Sequence, residues 1–464
     1  MDEISCEKRE AIARTPAHDV ALDCLLAGIA AARPATLVSD GLSLREGVLT
    51  VTATDGPPAE YDLDAYDDVI LIGGGNAGGS FTAAIETVLG DRLSGGVVVT
   101  DDPTPSGTVD VLAGDHPVPS ERGVAHTRRV LDRAHAADED DLVIATISGG
   151  GSALLAAPVA SISLSDLRTV TEALLASGAT IDEINAVRKH CSAIKGGQLA
   201  RAAAPATVVT LVVSDVVGDD CSVIASGPTV PDPSTYGDAL DVVDRYGLDV
   251  PRAVRDHLRA GADGDRPETP TDGDPAFERT STHLLGSGRT ALDAASTAAE
   301  RRGYAPTVLA AGVRGEARES ALTHIAIAEE CRGSGSPAAP PAVLLSGGET
   351  TVTLGEDPGD GGPNQEFAVS SAVALDTDGI VVASVDTDGI DGSTDAAGGI
   401  VDATTLSKRD GRDAIDRNDT HPCLDEADAL VRTGPTGTNV NDLRVIVVED
   451  RPDHSSSEGE RSTR

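Results

Sequence analysis

Short apolar runs alternate with amphipathic stretches along the first half of the chain. Residues 69–72 form an apolar run that predicts a buried strand, and the glycine-rich turn 73–79 follows it. Helical periodicity then covers 81–89, and 97–100 predicts the next strand. A strand, a helix and a second strand in this order form a βαβ unit, whose strands pair in parallel.

The same alternation recurs further along the chain. Predicted strands at 142–147 and 208–214 enclose predicted helices at 164–175 and 184–203. Successive units of this kind place helices on both faces of a sheet. The fold class predicted for this part of the chain is therefore α/β with a doubly wound parallel sheet.

A stretch rich in Asp, Gly and Pro at 261–280 has no apolar periodicity and predicts a linker or a surface excursion. We therefore predict two α/β domains, the first over residues 1–260 and a smaller one over 281–450. The second domain rests on another alternating series. Its predicted helices end near 301 and 329, and its predicted strands lie at 283–285, 307–310, 342–345, 380–385 and 443–448.

The net charge of the chain limits the kinds of molecule that it is expected to bind. The chain has 76 acidic and 36 basic residues, a formal charge of −40, which disfavours nucleic acid and anionic membrane surfaces as partners. A folded protein adapted to high salt fits this composition, because molar salt shortens the Debye length to about 3 Å. The chain shows neither a leader pattern nor a long apolar run, and its cysteines stand singly, so a cytoplasmic protein with reduced thiols is expected.

Three glycine-rich turns follow predicted strands directly. Glycine lets a backbone approach a ligand closely, and ligands of open α/β sheets bind at the carboxyl ends of strands. Each turn alone could be only a tight turn, but three together favour a polyanionic ligand. None has the P-loop spacing, and the first lacks the spacing of a dinucleotide-binding loop. The candidate nucleotide-binding residues are Gly74, Gly75, Ser148, Gly149, Gly150, Gly151, Ser152, Gly347, Gly348 and Glu349.

Two acidic loops also follow predicted strands, at 214–220 and 386–392. Carboxylates near phosphate suit Mg²⁺, and an aspartate near a substrate hydroxyl can act as a general base. Asp215, Asp386 and Asp388 are the candidate metal ligands. The alternative is that these loops are solvated, since acidic residues are abundant throughout this chain.

Positive charge is concentrated at 185–197, which holds two of the four lysines of the chain. Phosphoryl transfer requires cations that compensate charge on the phosphate oxygens. Lys195, just before a glycine pair, is the stronger candidate. Arg188 and Lys189 are equally well explained as solvated helix charges, and His116 is better explained as a loop histidine that packs on its neighbouring prolines.

Eight longer motifs follow one another along the chain: GDHPVPSERG, ISGGGSALL, INAVRKHCSAIKGGQLA, SDVVGDDCSVIASGPTVPDP, LLSGGETTVT, NQEFA, DTDGIDGSTDAAG and TGPTGTNVNDL. In this order they resemble the motifs of the glycerate 2-kinases, also called class II glycerate kinases. The resemblance implies a Rossmann-like N-terminal domain, a smaller MOFRL-type C-terminal domain and an active site between them. It also implies transfer from ATP, with Mg²⁺, to D-glycerate, giving 2-phospho-D-glycerate. The acidic composition is similar to that of haloarchaeal members.

Two departures from the family pattern bear on catalysis. The first glycine loop carries Asn76 where the family usually has a lysine, and Pro363 precedes the NQE motif where an arginine is usual. Either Lys195, Arg289 and a metal supply the missing charge, or the chain is a weakened homologue that binds nucleotide or a sugar acid. The candidate catalytic residues are Lys195, Asp215, Asp386, Asn76 and Arg289. Asn364, Gln365 and Asn439, which stand in the motifs above, are candidate nucleotide-binding residues.

A different activity remains open because relatives of the family have been labelled hydroxypyruvate reductases. An oxidoreductase of that type would oxidise NADH with hydroxypyruvate. The resemblance leaves the oligomeric state open between a monomer and a homodimer.

Overall fold

The computed structural model describes residues 4–450, which form a chain of alternating strands and helices. Its strands are β1 (Leu42–Arg45), β2 (Val48–Val51), β3 (Ala59–Asp62), β4 (Val69–Gly74), β5 (Gly95–Thr100), β6 (Asp110–Ala113), β7 (Leu142–Ile147), β8 (Thr207–Val213), β9 (Thr280–Gly286), β10 (Ala305–Val313), β11 (Ala342–Gly348), β12 (Ile380–Asp386), β13 (Gly398–Asp402), β14 (Leu430–Val431) and β15 (Asp442–Val448).

Helices connect most of these strands. They are α1 (Arg9–Ile12), α2 (Pro16–Ala31), α3 (Pro34–Gly41), α4 (Gly78–Leu89), α5 (Glu121–His135), α6 (Gly151–Leu154), α7 (Leu164–Ala176), α8 (Ile181–His190), α9 (Gln198–Ala203), α10 (Tyr236–Arg245), α11 (Arg252–Ala262), α12 (Gly288–Arg301), α13 (Ala317–Ser334), α14 (Pro363–Ala374), α15 (Lys408–Asp416) and α16 (Thr420–Glu426). Short 3₁₀ turns lie at Leu63–Ala65, Gly90–Arg92, Ile224–Ser226 and Pro275–Phe277.

The chain divides into two compact units. The parallel-sheet unit comprises residues 32–287 and 437–440, and the mixed-sheet unit comprises 4–31, 288–436 and 441–450 of the described chain. Both units are of the α/β class, which confirms the predicted fold class.

The parallel-sheet unit is built on six strands in the order β6-β5-β4-β7-β8-β9, all parallel. From β4 the chain proceeds outward to β6, and it returns to β7 before proceeding outward in the other direction. This sheet is doubly wound, and its strand order reverses between β4 and β7. β4 and β7 are buried along their whole length, as strands covered on both faces must be. A separate antiparallel meander, β1-β2-β3, was not predicted because its strands are short and partly polar.

The mixed-sheet unit contains six strands in the order β10-β11-β15-β12-β13-β14. Only β10 and β11 are parallel, and the other neighbours are antiparallel. Its core packs α13 and α14 against the sheet around the fully buried Phe367. Helices α2 and α12 also pack on this sheet and on each other. Gly28 permits that packing, since a Cβ there would lie 2.5 Å from Cδ2 of Leu443.

The observed division differs from the predicted boundary at several places. Strand β9 and residues 437–440, predicted for the second domain, belong to the parallel-sheet unit. The N-terminal helix α2 packs in the mixed-sheet unit, although it precedes the parallel-sheet unit in sequence. Residues 261–280 are part of the parallel-sheet unit and do not separate the two units. Side-chain contacts hold this stretch in place, because Glu268 accepts hydrogen bonds from the Tyr236 N–H and Asp274 forms an ion pair with Arg201 at 2.8 Å.

One predicted helix is interrupted. The stretch expected to be helical over 184–203 forms α8 and α9, with the turn 191–197 between them. Gly196 and Gly197 have φ values of 56° and 76°, which an α-helix does not allow. The interruption places Lys195 in a turn and not on a helix surface.

Among residues 4–450, no single helix is both long and apolar enough to cross a membrane; the bent pair α2 and α3 meets that criterion only jointly.

Candidate active site

Two glycine-rich loops lie side by side where the strand order of the parallel sheet reverses. One follows β4 and the other follows β7, and their backbones are hydrogen-bonded to each other. The N–H of Asn76 donates to the carbonyl of Gly149 at 2.8 Å, and the N–H of Ala77 donates to Oγ of Ser148 at 3.3 Å. Ligands of open α/β sheets bind outside the carboxyl ends of the strands at such a reversal.

The glycines of these loops leave room for two polar side chains. Gly150 has φ of 73°, and a Cβ there would lie 1.8 Å from Oδ1 of Asn76. A Cβ at Gly149 would lie 2.3 Å from Oδ2 of Asp215. Asn76 and Asp215 therefore border the second loop, and larger residues in the loop would displace them.

Asn76 and Asp215 differ in electrostatic character. Oδ1 of Asn76 is buried and has no hydrogen-bond partner within the described chain. Burial raises the pKa of the Asp215 carboxyl, against the opposing effect of the N–H of Gly150 and of the nearby His116. A carboxylate with a raised pKa at a strand end is a reasonable proton acceptor. His116, expected only to pack on its prolines, lies near that carboxylate.

The structure distinguishes the three cations of the 185–197 segment. Lys189 is buried and forms an ion pair with Asp232, Nζ to Oδ1, at 3.2 Å. Burial lowers the pKa of Arg188, and no carboxylate of residues 4–450 forms an ion pair with it. Burial and the nearby Arg188 lower the pKa of Lys195 to about 7. Arg188 and Lys195 are thus available to an anion, whereas Lys189 has a structural partner.

Three further polar side chains lie beside Lys195. Oγ of Ser226 donates to Oδ1 of Asn185 at 3.0 Å and lies 3.0 Å from Oγ of Ser152. Nζ of Lys195 approaches the carbonyl oxygen of Ala225 at 3.5 Å. Asn185 and Ser226 were not singled out from the sequence, although both stand in the quoted motifs.

The backbone that carries Ser226 has an uncommon conformation. Ala225, Ser226 and Gly227 all have positive φ, at 50°, 61° and 61°. Such a run in residues other than glycine is costly and must be held by its surroundings. This turn fixes the positions of the Ser226 hydroxyl and the Ala225 carbonyl.

In the mixed-sheet unit, carboxylates gather at one edge of the sheet. Strand register pairs Asp442 with Gly348 on one side and with Asp386 on the other. Burial and the carboxylates of Asp388 and Asp442 raise the pKa of Asp386 well above its usual value. Burial also raises the pKa of Asp388. The predicted metal ligands of this unit are therefore close together, beside the predicted glycine turn that includes Gly347.

Asn364 and Gln365 are held by protein partners within this unit. The carboxylate of Asp391 accepts the N–H groups of both residues, at 3.0 and 2.8 Å, and so caps the first turn of α14. Nδ2 of Asn364 donates to Asp442 at 2.7 Å, and Oε1 of Gln365 lies 2.9 Å from Nδ1 of His421. Burial raises the pKa of Asp391 to about 6. In the described structure both side chains position the acidic edge.

Beneath that edge lies a buried arginine that the sequence did not indicate. Arg444 is fully buried, donates to Asp442 and to Thr350, and stacks over the ring of Phe367 at 4.9 Å. Its Nε and Nη1 have no hydrogen-bond partner within the described chain. Pro363 occupies the first position of α14, where its missing N–H costs no helix hydrogen bond.

Three predicted residues remain, two in the mixed-sheet unit and one in the parallel-sheet unit. Arg289 is exposed and pairs with Asp293 at 2.8 Å along α12, and Glu349 is exposed just after β11. Asn439 lies in the short segment 437–440 that joins the parallel-sheet unit. That segment contacts α4, because Oγ of Ser80 donates to the carbonyl of Gly437 at 3.3 Å.

The chain matches two family descriptions. Residues 20–259 match "Domain of unknown function (DUF4147)", and residues 342–442 match the MOFRL family. A D-glycerate 2-kinase of Thermotoga maritima is 41% identical over 391 residues, which cover 82% of this chain and 91% of that protein. The chain belongs to the glycerate 2-kinase family.

One solved structure and one further protein are also similar to this chain. A crystal structure of glycerate kinase from Thermotoga maritima superposes with a TM-score of 0.80 at 36% identity, over 93% of this chain and 99% of that one. A protein of Agrobacterium vitis named a putative hydroxypyruvate reductase is 45% identical over 388 residues, covering 82% and 87% of the two chains. The resemblance predicted from the motifs is confirmed.

Proposed function

We propose that this protein transfers the γ-phosphoryl group of ATP to the 2-hydroxyl of D-glycerate, giving ADP and 2-phospho-D-glycerate. Membership of the glycerate 2-kinase family supports this reaction. The observation that carries it is the pair of glycine loops at the strand-order reversal, which lie beside Arg188 and Lys195. Neither cation forms an ion pair with a carboxylate of the described residues. In the reaction the acceptor oxygen bonds to the γ-phosphorus, and the bond from that phosphorus to the β-phosphate oxygen breaks.

The nucleotide phosphates would be held by backbone N–H groups. The loop Ser148 to Gly151 provides glycine backbone that a phosphate could approach closely, and Ala77, the N-cap residue of α4, makes no side-chain capping hydrogen bond. Free N–H groups at the start of a helix of this length favour phosphate. Asn76 can donate a hydrogen bond there but adds no charge.

In this proposal Asp215 accepts the proton of the acceptor hydroxyl. It lies at the carboxyl end of β8, beside the Gly149 and Gly150 backbone, and burial raises its pKa. A raised pKa makes a carboxylate a better base as long as it remains ionised at the working pH. This assignment is part of the proposal.

Mg²⁺ is the expected cofactor, and the acidic edge of the mixed-sheet unit suits it. Within residues 4–450, no group of three or more His, Cys, Asp or Glu side chains has metal-binding geometry. Asp386 and Asp388 provide two neighbouring carboxylates, whose mutual repulsion a cation would relieve. One or two carboxylates are what Mg²⁺ takes from proteins that bind it with phosphate. When bound, the ion would neutralise charge on phosphate oxygens.

A two-substrate comparison tests the reaction. The protein in molar KCl is supplied with ATP and D-glycerate in a coupled ADP assay, and in parallel with NADH and hydroxypyruvate. We expect ADP release and no NADH oxidation, and a phosphorus NMR spectrum of the product should show a 2-phosphate. NADH oxidation without ADP release would contradict the proposal and support the reductase named among the relatives. Ligand-dependent thermal stabilisation without turnover would indicate a binding homologue.

A further inference from the structure

Several hydrogen-bond donors lie close together at one place in the parallel-sheet unit, and two of them are buried with unused donor capacity. Asn185 is 2% exposed, and its Nδ2 has no partner within the described chain. Lys195 is 3% exposed, and the one hydrogen-bond contact of its Nζ among residues 4–450 is the 3.5 Å approach to a carbonyl oxygen. These two residues and three neighbouring side chains that can also donate hydrogen bonds form a group that we call the donor cluster. Its members are Asn185, Arg188, Lys195, Ser152 and Ser226.

The lack of a carboxylate in the donor cluster is unusual for this protein. Acidic residues outnumber basic ones by 76 to 36, and Lys189, one residue from Arg188, has the buried carboxylate of Asp232 as its partner. Burying a cation without a counter-charge is costly. A bound anion would remove this cost and would also satisfy the free amide of Asn185.

The donor cluster is largely buried and adjoins one glycine loop. Ser152 links the two, because it follows Gly149 to Gly151 directly and its Oγ lies 3.0 Å from that of Ser226. Asn185, Lys195 and Ser226 are almost inaccessible to solvent, so the anion must be small. Planar amide and guanidinium donors match the two oxygens of a carboxylate.

We propose that the donor cluster binds the carboxylate of the hydroxy-acid acceptor. The assignment rests on the proposed function for the identity of that acid. It narrows the role of Lys195 from general charge compensation to recognition of the acceptor. The cluster then explains selection of an acid over a neutral polyol, since glycerol would leave both cations unpaired.

Binding without nucleotide tests the assignment. D-glycerate is titrated into the full-length protein by calorimetry in molar KCl, and glycerol is the neutral comparison. Asn185→Asp places a carboxylate in the cluster, and Lys195→Met removes a cation. Each should weaken D-glycerate binding by roughly 30-fold or more, as loss of one partner of a buried charged contact does. Arg252→Gln, whose side chain is 91% exposed, is the control and should bind normally.

Two further measurements show whether a loss of binding reflects misfolding, and whether the cluster binds the acceptor or a nucleotide phosphate. Lys195→Met removes an unpaired buried charge, so its ligand-free melting temperature should not fall, and it serves if Asn185→Asp does not fold. In turnover assays the KM for D-glycerate should rise while the KM for ATP changes less than about twofold.

Three outcomes would overturn the assignment: unchanged D-glycerate binding in both variants, a wild-type protein that binds D-glycerate no better than glycerol, or a rise confined to the KM for ATP. The last would assign the cluster to a nucleotide phosphate. A wild-type protein that binds D-glycerate selectively but releases no ADP would refute the proposed function and support the carboxylate assignment.

Discussion

Acceptor binding should weaken as the pH rises through neutrality, because Lys195 loses its proton there. Burial and the nearby Arg188 lower the pKa of Lys195 to about 7. If only the protonated lysine binds the carboxylate, the apparent Kd rises in proportion to one plus the ratio of neutral to protonated lysine. That factor is about 1.1 at about pH 6 and about 11 at about pH 8, a roughly tenfold loss worth about 1.4 kcal/mol.

Calorimetric titration of D-glycerate without nucleotide, over this pH range and in molar KCl, measures the effect directly. Lys195→Arg is the matched control, because a guanidinium stays protonated throughout the range and its variant should bind with nearly constant affinity. A flat profile in the wild-type protein would refute the reasoning. So would an equal slope in Lys195→Arg, which would assign the titration to another group.

The same shift predicts how stability depends on pH. Lys195 is less readily protonated in the folded protein than in the unfolded chain, for which the ordinary value of 10.5 applies. Between the folded pKa of about 7 and 10.5, the unfolded chain binds more protons, so this residue's contribution to the free energy of unfolding rises with pH. Urea unfolding of the ligand-free wild-type protein and of Lys195→Met should converge as the pH increases across this window. A constant difference would contradict the shift.

Three further changes have defined outcomes. Asp442→Asn leaves Arg444 without its counter-charge and should cost about 3–5 kcal/mol in urea unfolding, and adding Arg444→Met should recover much of that loss. Gly150→Ala should lower the free energy of unfolding by about 1–2 kcal/mol, because alanine is strained in a left-handed backbone, and should raise the KM for ATP by displacing Asn76. Gly178→Ala is the control: Gly178 has a φ of 75° and open space around it, so this variant should lose stability only. Asn76→Lys should raise kcat/KM for ATP by adding positive charge beside the glycine loop, and an unchanged rate would show that charge compensation lies elsewhere.

The apolar pattern predicted nine of the twelve strands of the two six-stranded sheets to within a few residues, and it missed β6, β13 and β14. β7 was predicted over 142–147, the range at which it is observed, because a buried strand is a continuous apolar run with clear ends. Strand direction was not predictable in the second unit. A strand buried on both faces shows the same continuous apolar pattern whether its neighbours run parallel or antiparallel. The sequence of β15 therefore did not indicate that it lies antiparallel between β11 and β12.

The candidate site was predicted in part. Glycine loops at strand ends are recognisable because only glycine leaves space for a ligand or for side chains such as Asn76. Interaction partners that are distant in sequence cannot be recognised from the sequence in this way. Lys189 and Lys195 lie in one motif, and only the position of Asp232 shows which of them is already paired.

The sequence alone determined the α/β class, the glycine loops after strands and membership of the glycerate 2-kinase family, because these properties lie in local periodicity and in contiguous motifs. Only the tertiary structure brought Asn185, Lys195 and Ser226 together and placed Arg444 under the acidic edge. Burial and the absence of a counter-charge are properties of neighbours in space, and residues tens of positions apart acquire them only when the chain has folded.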